Sequence, residues 1–314
     1  MSPGSATVRL MRSCARDDLA LNLLPEEPSW DTPHRLLAAV RWLVYAGEVE
    51  DFFGDPDPWP AFRDVLETHA DWAARFVREQ TVQTNEVQRC WVLLPLFLTV
   101  SRAARGRPLD LIELGTSAGL NLFWDRYHYR YGAGTWGDAR SPLHLTGEER
   151  SPVPADLLDI NVDVRRRRGI DLNPIDVTSD DGLRLLRCFD PSEEATARRE
   201  AAADVIRKQP PELLRGDYLD LLPGLLQQRD ESALTVVFQT ISTVYLSNEE
   251  RQRLHAIIEA AAAEAPLGWI STPTPEEHGQ RRGDYPLELA LWPGTPRHIA
   301  ARMNTRAEWI EWES

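Results

Sequence analysis

The sequence predicts an α/β chain, a mostly parallel sheet preceded by an N-terminal all-α region. Three observations carry this reading. An apolar strand runs into closely spaced small residues at 109–122 (LDLIELGTSAGLNL); further apolar runs at 233–239 and 267–271 are separated by a helical pattern; and the first hundred residues read as helices split by proline-rich turns.

Residues 7–24, 33–47, 59–79 and 85–105 have helical patterning between turn formers, the last interrupted at Pro95. In that last helix Val87, Trp91 and Leu94 share one face, while Asn85 and Arg89, four apart, share another. Because it leads directly into the first strand, its N-terminal end is expected over a ligand crevice, with Gln83, Asn85, Glu86 and Arg89 lining it.

Leu109, Leu111, Ile112 and Leu114 form the short apolar run of a buried parallel strand. Gly115, Ser117, Ala118 and Gly119 then remove side chains that would keep a ligand from the backbone, and the free N–H groups of the following helix are expected to face that ligand. Glu113 falls at the strand's carboxyl end, where open α/β sheets place their crevice and where a carboxylate can accept from an amine or a ribose hydroxyl. GTSAG lacks the second glycine of the dinucleotide fingerprint, which argues against a pyrophosphate-binding dehydrogenase.

Residues 127–161 are longer than an ordinary connection and read as an insertion. Tyr127, Tyr129, Tyr131 and Trp136 alternate as in a hairpin, and burial of the hairpin explains them better than a planar substrate does. The run 233–239 (ALTVVFQ) reads as a central strand ending at Gln239 and Thr240. Ser247 and Glu250 have capping-box spacing and open a helix with Leu254, Ile257, Ile258 and Ala261 on one face. Residues 267–271 give another strand, and 285–292 with 306–312 alternate as a closing antiparallel pair.

The spacing E-x-G-x-S-x-G over residues 113–119 is similar to the first motif of Rossmann-like S-adenosylmethionine (AdoMet) methyltransferases, with Ser117 where the common form has glycine. Gly169-Ile170-Asp171-Leu172-Asn173-Pro174 resembles the end of their second strand, which implies Asp171 as the acidic partner of both ribose hydroxyls. Leu214-Arg215-Gly216-Asp217-Tyr218 resembles their third-strand signature, which implies Asp217 at the adenine amino group. The resemblance implies a Rossmann-like class I AdoMet methyltransferase fold, a mostly parallel seven-stranded sheet with an antiparallel C-terminal hairpin. Residues 1–105 would be the helical cap and 106–314 the AdoMet-binding domain, with the inserted hairpin at about 127–161. AdoMet would be held by Glu113, Gly115, Ser117, Gly119, Asp171, Asp217 and Gln239, the three carboxylates converging from successive strands.

Over nearly its whole length the chain also resembles a bacterial family of uncharacterised, methyltransferase-like proteins known only as a domain of unknown function. The residues that carry this are Thr81-Val82-Gln83-Thr84-Asn85-Glu86-Val87, residues 113–122 with Trp124, Asp125, Arg126 and Tyr127, Gly169-Ile170-Asp171 with Pro174 and Asp176, and Tyr245-Leu246-Ser247. Gln239 stands where the resemblance leads one to expect histidine, which argues against a histidine-based proton transfer here.

Methyl transfer from a sulfonium is an in-line displacement, so it asks mainly for alignment and exclusion of water. A hydroxyl or protonated amine acceptor is helped by a base, for which the sequence offers Tyr245, His278 and Glu86. Gln83, Asn85, Arg89, Trp124 and Arg126 are the substrate-binding candidates; a carboxylate acceptor needs no base, and Arg89 or Arg126 would orient it. Two other classes stay open: an AdoMet-binding enzyme running a cyclisation or elimination, and a noncatalytic Rossmann-like binding protein.

A formal charge of −14 disfavours nonspecific nucleic-acid binding. The run Arg165, Arg166, Arg167, Arg168 reads as a solvated strand edge or loop flanked by acids. Three scattered cysteines without C-x-x-C spacing indicate neither a metal site nor a disulfide framework and suit a reducing cytoplasm. The N-terminus does not read as a secretion signal, and the longest apolar stretch, 90–100, is too short to span a bilayer. The expected partners are a small-molecule substrate and, at most, a second copy of the chain in a homodimer, with no nucleic acid and no membrane.

Overall fold

The computed structural model describes residues 6–273 and 284–313. The helices are α1 (Ala6–Cys14), α2 (Asp18–Asn22), α3 (Thr32–Tyr45), α4 (Trp59–Thr68), α5 (Ala70–Glu79), α6 (Arg89–Ala104), α7 (Asp180–Phe189), α8 (Glu193–Ile206), α9 (Tyr218–Gln227) and α10 (Asn248–Glu264). The strands are β1 (Leu109–Leu114), β2 (His128–Tyr131), β3 (Gly134–Trp136), β4 (His144–Thr146), β5 (Glu148–Glu149), β6 (Val164–Asp171), β7 (Glu212–Arg215), β8 (Leu234–Phe238), β9 (Leu267–Ser271), β10 (Asp284–Trp292), β11 (Thr295–Asn304) and β12 (Trp309–Trp312). The chain divides into two compact units, residues 1–84 with 179–196, and residues 85–178 with 197–314.

The first unit is helical. Its core gathers Leu36, Leu37 and Val40 of α3, Phe62 and Leu66 of α4, Phe76 and Val77 of α5 and Cys188 of α7. The expected helix at 7–24 is broken, because Asp17 turns its side chain onto the Ala20 N–H at 3.0 Å and caps α2 instead of continuing α1. The one at 59–79 is broken at His69, whose backbone leaves the helical region between α4 and α5.

The second unit is mixed α/β. Its described residues form a nine-stranded sheet in the order β5-β12-β11-β10-β9-β8-β1-β6-β7, two strands more than the seven expected. β7, β6, β1, β8 and β9 run parallel, with β1, β8 and β9 buried along their whole length. β10, β11 and β12 then fold back as an antiparallel meander, and β5 adds in parallel beyond β12. The C-terminal pair therefore differs from expectation: β10 pairs with β11, which the sequence reading left out, and β12 pairs with β11. β11 escapes a period-two reading because it carries Pro296, consecutive Ala300 and Ala301, and a pairing with β10 whose register shifts twice. The outer partner of β12, β5, is contributed by the insertion, so no local signal predicts that edge either.

α6 runs unbroken through Pro95, against the expected interruption. Proline removes the N–H that would have met the carbonyl four residues back, and that carbonyl, of Trp91, accepts the hydroxyl of Tyr131 instead. α9 repeats the device: Pro223 leaves the Leu219 carbonyl to Arg253 Nη2 at 3.3 Å. Because α6 is buried almost all round and begins at Arg89, Asn85 and Arg89 do not share a helix face.

In the insertion, β2 and β3 form the hairpin and β4 joins β2 in parallel. The Tyr127 and Tyr129 hydroxyls donate to the carbonyls of Leu120 and Trp124, each at 2.6 Å. Trp124 is fully buried, stacked on Phe97 at 4.4 Å and beside Trp136 at 5.8 Å. These aromatics fill a core, which answers the expected substrate role of Trp124: no face of it is open to a ligand.

The arginine run forms the inner strand β6, not a solvated edge. Arg165 pairs with Asp110 at 2.7 Å, Arg166 with Glu212 at 3.4 Å and Arg167 with Asp125 at 2.7 Å. Among the described residues no helix is long and apolar enough to cross a membrane. Cys14, Cys90 and Cys188 are buried, and burial pushes the Cys14 and Cys188 thiols up to about 12.

Candidate functional site

The chain steps outward from β1 to β6 and β7, then returns to β8 on the other side of β1. The carboxyl ends of β1 and β8 therefore flank the switch point at which open α/β sheets form a ligand crevice. Register makes these ends level, since Glu113 lies opposite Gly169 of β6 and Phe238 of β8.

Glu113 is almost fully buried and held by its own loop. Thr116 Oγ1 donates to Oε2 at 2.6 Å and Asn121 Nδ2 to Oε1 at 3.3 Å. Burial pushes its carboxyl up to about 8, overriding those two hydrogen bonds, with the nearby Asp171 adding to the rise. At the end of β6, Asp171 accepts the Ser117 N–H at 2.8 Å and the Asn173 N–H at 2.9 Å, so it clamps the loop after β1 to the turn after β6. Asp217 stands just beyond β7; it is exposed and caps α9 through the Leu219 N–H at 2.7 Å. The three carboxylates thus stand at one end of three neighbouring strands, each held by protein donors, the first two buried and the third exposed at the rim.

The expectation that free helix N–H groups face a ligand is overturned. The N–H groups of Gly115 and Thr116 go to the Ile170 carbonyl, that of Ser117 to Asp171 and that of Gly119 to the Thr116 carbonyl. Those of Ala118 and Leu120 both go to Asn85 Oδ1 at 3.2 Å, and the helix that follows, Leu120–Arg126, is a short 3-10 turn. Asn85 is therefore a cap on this loop, a role set by a residue more than thirty positions away and not readable from local pattern. The small residues likewise serve packing. A Cβ on Gly115 would lie 2.5 Å from Ser242 Cβ, and one on Gly119 would lie 3.1 Å from Pro211 Cγ.

On the β8 side, Gln239 is buried and fully engaged. Its Nε2 donates to the Thr272 carbonyl at 3.0 Å, and its Oε1 accepts the Ser242 N–H at 3.1 Å. It braces a turn in which Ile241, a β-branched residue, has φ of 65°; Asn85 and Ser117, at the same end of the sheet, have φ of 35° and 56°. Left-handed conformations at non-glycine residues cost about 1–3 kcal/mol each and gather where a binding surface is being shaped.

Arg89, the first residue of α6, reaches this turn. Its Nη1 donates to the Thr240 carbonyl at 3.3 Å and Oγ1 at 3.4 Å, and its Nε to the Thr305 carbonyl at 3.3 Å. Burial lowers its pKa, opposed by Glu86, Tyr245, Tyr285 and Glu113. Glu86 is buried with Oε1 on the Gln88 N–H at 3.0 Å and on Arg198 Nη2 at 3.3 Å. Tyr245 follows the Ile241 turn with over half of its surface exposed.

The structure thus gathers Asn85, Glu86, Arg89, Glu113, Gly115, Ser117, Gly119, Asp171, Gln239 and Tyr245 at one sheet end, with Asp217 at its edge. Arg126 is exposed and pairs with Asp125 at 3.3 Å. Gln83 belongs to the helical unit, where its amide meets the Thr81 hydroxyl at 3.1 Å. His278 lies outside the described residues. Sequence reasoning passed over Leu172, a leucine 60% exposed directly after Asp171, and the Thr116 and Asn121 partners of Glu113. An apolar residue next to a strand-end carboxylate was the available signal for the first; the others are fixed by side-chain contacts that pattern does not show.

The family described as an uncharacterized protein conserved in bacteria (DUF2332) matches residues 2–312 of the chain. No curated protein matches it.

Proposed function

Since the chain belongs to that bacterial family, whose description assigns no activity, we propose from the site itself that it is an AdoMet-dependent methyltransferase acting on a small-molecule acceptor by O- or N-methyl transfer. The observation that carries the reading is the set of three carboxylates, Glu113, Asp171 and Asp217, at one end of the neighbouring strands β1, β6 and β7.

Three local features fit a bound nucleoside. The Asp171 carboxylate is oriented by two backbone donors, the Leu172 side chain beside it offers an apolar platform for a flat base, and the buried Ser117 Oγ has no hydrogen-bond partner. Asp171 and Asp217 would hold the ribose and base, and Leu172 would pack on the base. When bound, AdoMet supplies an electrophilic methyl group on sulfur. The chain's own part is alignment: Arg89 and the Thr240–Ile241 turn define the opposite wall, and Tyr245 brings a hydroxyl able to take a proton to its mouth. Glu86 is engaged by Arg198 and by the Gln88 N–H, which argues against its serving as a base.

A second reading, a Rossmann-like binding protein or an AdoMet-holding enzyme for cyclisation or elimination, is favoured by one observation. Every N–H from residue 115 to 120 is already given to a protein acceptor, so the loop backbone offers the ligand little. Calorimetric titration with AdoMet and S-adenosylhomocysteine separates the readings. Leu172→Ala, a surface change, should weaken both roughly tenfold, the worth of covering one leucine, without altering the unfolding midpoint. Absence of binding by either ligand sinks the methyltransferase reading; binding of AdoMet without turnover across an acceptor panel moves the assignment to the second.

A further inference from the structure

We propose that Arg89 is a receptor for a carboxylate, so that the small molecule handled at this crevice is a carboxylic acid. The Arg89 guanidinium is held through Nε by the Thr305 carbonyl at 3.3 Å and through Nη1 by the Thr240 carbonyl and hydroxyl oxygens at 3.3 and 3.4 Å. No carboxylate lies within ion-pair distance of it among the described residues, whereas Arg198 has Glu86 at 3.3 Å.

The acids nearest in electrostatic reach are committed elsewhere. Glu86 is paired with Arg198, and Glu113 is closed off by Thr116 and Asn121. Because burial pushes the Glu113 carboxyl up to about 8, it is largely protonated at neutral pH and leaves the Arg89 charge uncompensated. A guanidinium fixed by three neutral acceptor oxygens keeps its planar fork in one orientation, which suits two parallel N–H···O bonds to a planar anion.

Position decides which part of a ligand this is. Thr240 ends β8 and Thr305 sits in the turn between β11 and β12, across β1 from β6 and β7, where Asp171 and Asp217 stand. Resting on the proposed function for the placement of the nucleoside, the anion therefore belongs to the other reactant. Tyr245 and Tyr285, both in electrostatic reach of the guanidinium, give that side phenolic surroundings that suit an organic acid. The charge of −14 works against a dianion such as phosphate.

The test uses the full chain and thermal unfolding with two probes, benzoate and inorganic phosphate. Benzoate should raise the midpoint saturably in the natural protein, and Arg89→Met should weaken it about tenfold or more, the usual worth of charge-assisted hydrogen bonds. Arg89→Lys keeps the charge without the fork and should fall between; it decides the matter if the methionine variant does not fold. Arg140→Ala, at an exposed arginine paired with Asp138, should match the natural protein. The proposal is overturned if benzoate gives no saturable shift, if the lysine variant binds it undiminished, or if phosphate is the better ligand. Benzoate binding needs no AdoMet, so a protein that binds benzoate through Arg89 but ignores AdoMet refutes the methyltransferase reading and leaves this one standing.

Discussion

Replacing Glu113 by glutamine should abolish the pH dependence that this one side chain imposes on stability. Glutamine has the same shape and can keep both contacts, its Oε1 accepting from Asn121 and its Nε2 donating to the Thr116 hydroxyl, which accepts as well as donates. Burial raises the Glu113 carboxyl from 4.5 to about 8 in the folded chain. Between those values the folded chain holds a proton that the unfolded chain has released, so the stability contributed by the neutral carboxyl is complete below the unfolded pKa and is lost as pH rises through the folded one. The slope is about 1.4 kcal/mol per pH unit, and the whole window amounts to about 5 kcal/mol as an upper bound. Urea unfolding followed by tryptophan fluorescence at steps from about pH 5 to about pH 9 measures it, with the variant as the reference that lacks the titration. The two proteins should be nearly equal at the acid end, and the variant should be the more stable by about 3–5 kcal/mol at the alkaline end. Parallel profiles across the range would refute the reasoning, because they would mean that the carboxyl is solvated and titrates normally.

Tyr131→Phe should destabilise by about 1–3 kcal/mol, since it leaves the Trp91 carbonyl, already stripped of its helical partner by Pro95, without a donor; Tyr131→Phe combined with Pro95→Ala should recover most of that loss in the same urea measurement. Gly115→Ala should be destabilising both through its φ of 67° and through a Cβ 2.5 Å from Ser242 Cβ, and a double-mutant cycle with Ser242→Gly should return the steric part, with strict additivity counting against the contact.

Much of the sheet was legible because its central strands are self-sufficient. β1, β8 and β9 are apolar runs buried along their whole length, and β8 needs no context to be recognised as a β-branched core strand. The capping box at Ser247 and Glu250 was equally local, and both of its hydrogen bonds are present, at 2.7 and 3.2 Å. What escaped was non-local. Pro95 reads as a helix breaker until the hydroxyl of Tyr131, forty residues beyond Trp91, is available to the orphaned Trp91 carbonyl. The loop at 115–120 reads as an open cradle until Asn85 is placed in it, and Arg89 acquires its orientation from Thr240 and Thr305, 151 and 216 residues away. Positions of carboxylates follow from strand ends, which pattern reveals; the satisfaction of their hydrogen bonds follows from packing, which it does not.

The two borders of the large sheet carry a consequence for colloidal behaviour. One border is β5, only two residues long and both glutamate, and the other is β7, four residues with Glu212 and Arg215 at its ends. Brief, charged outer strands are poor templates for a foreign chain, since each added backbone pairing would have to bury carboxylate or guanidinium groups. Fibril-like stacking through these margins is thereby discouraged, and any self-association of this chain should use side-chain surfaces rather than continuation of its β-ladder.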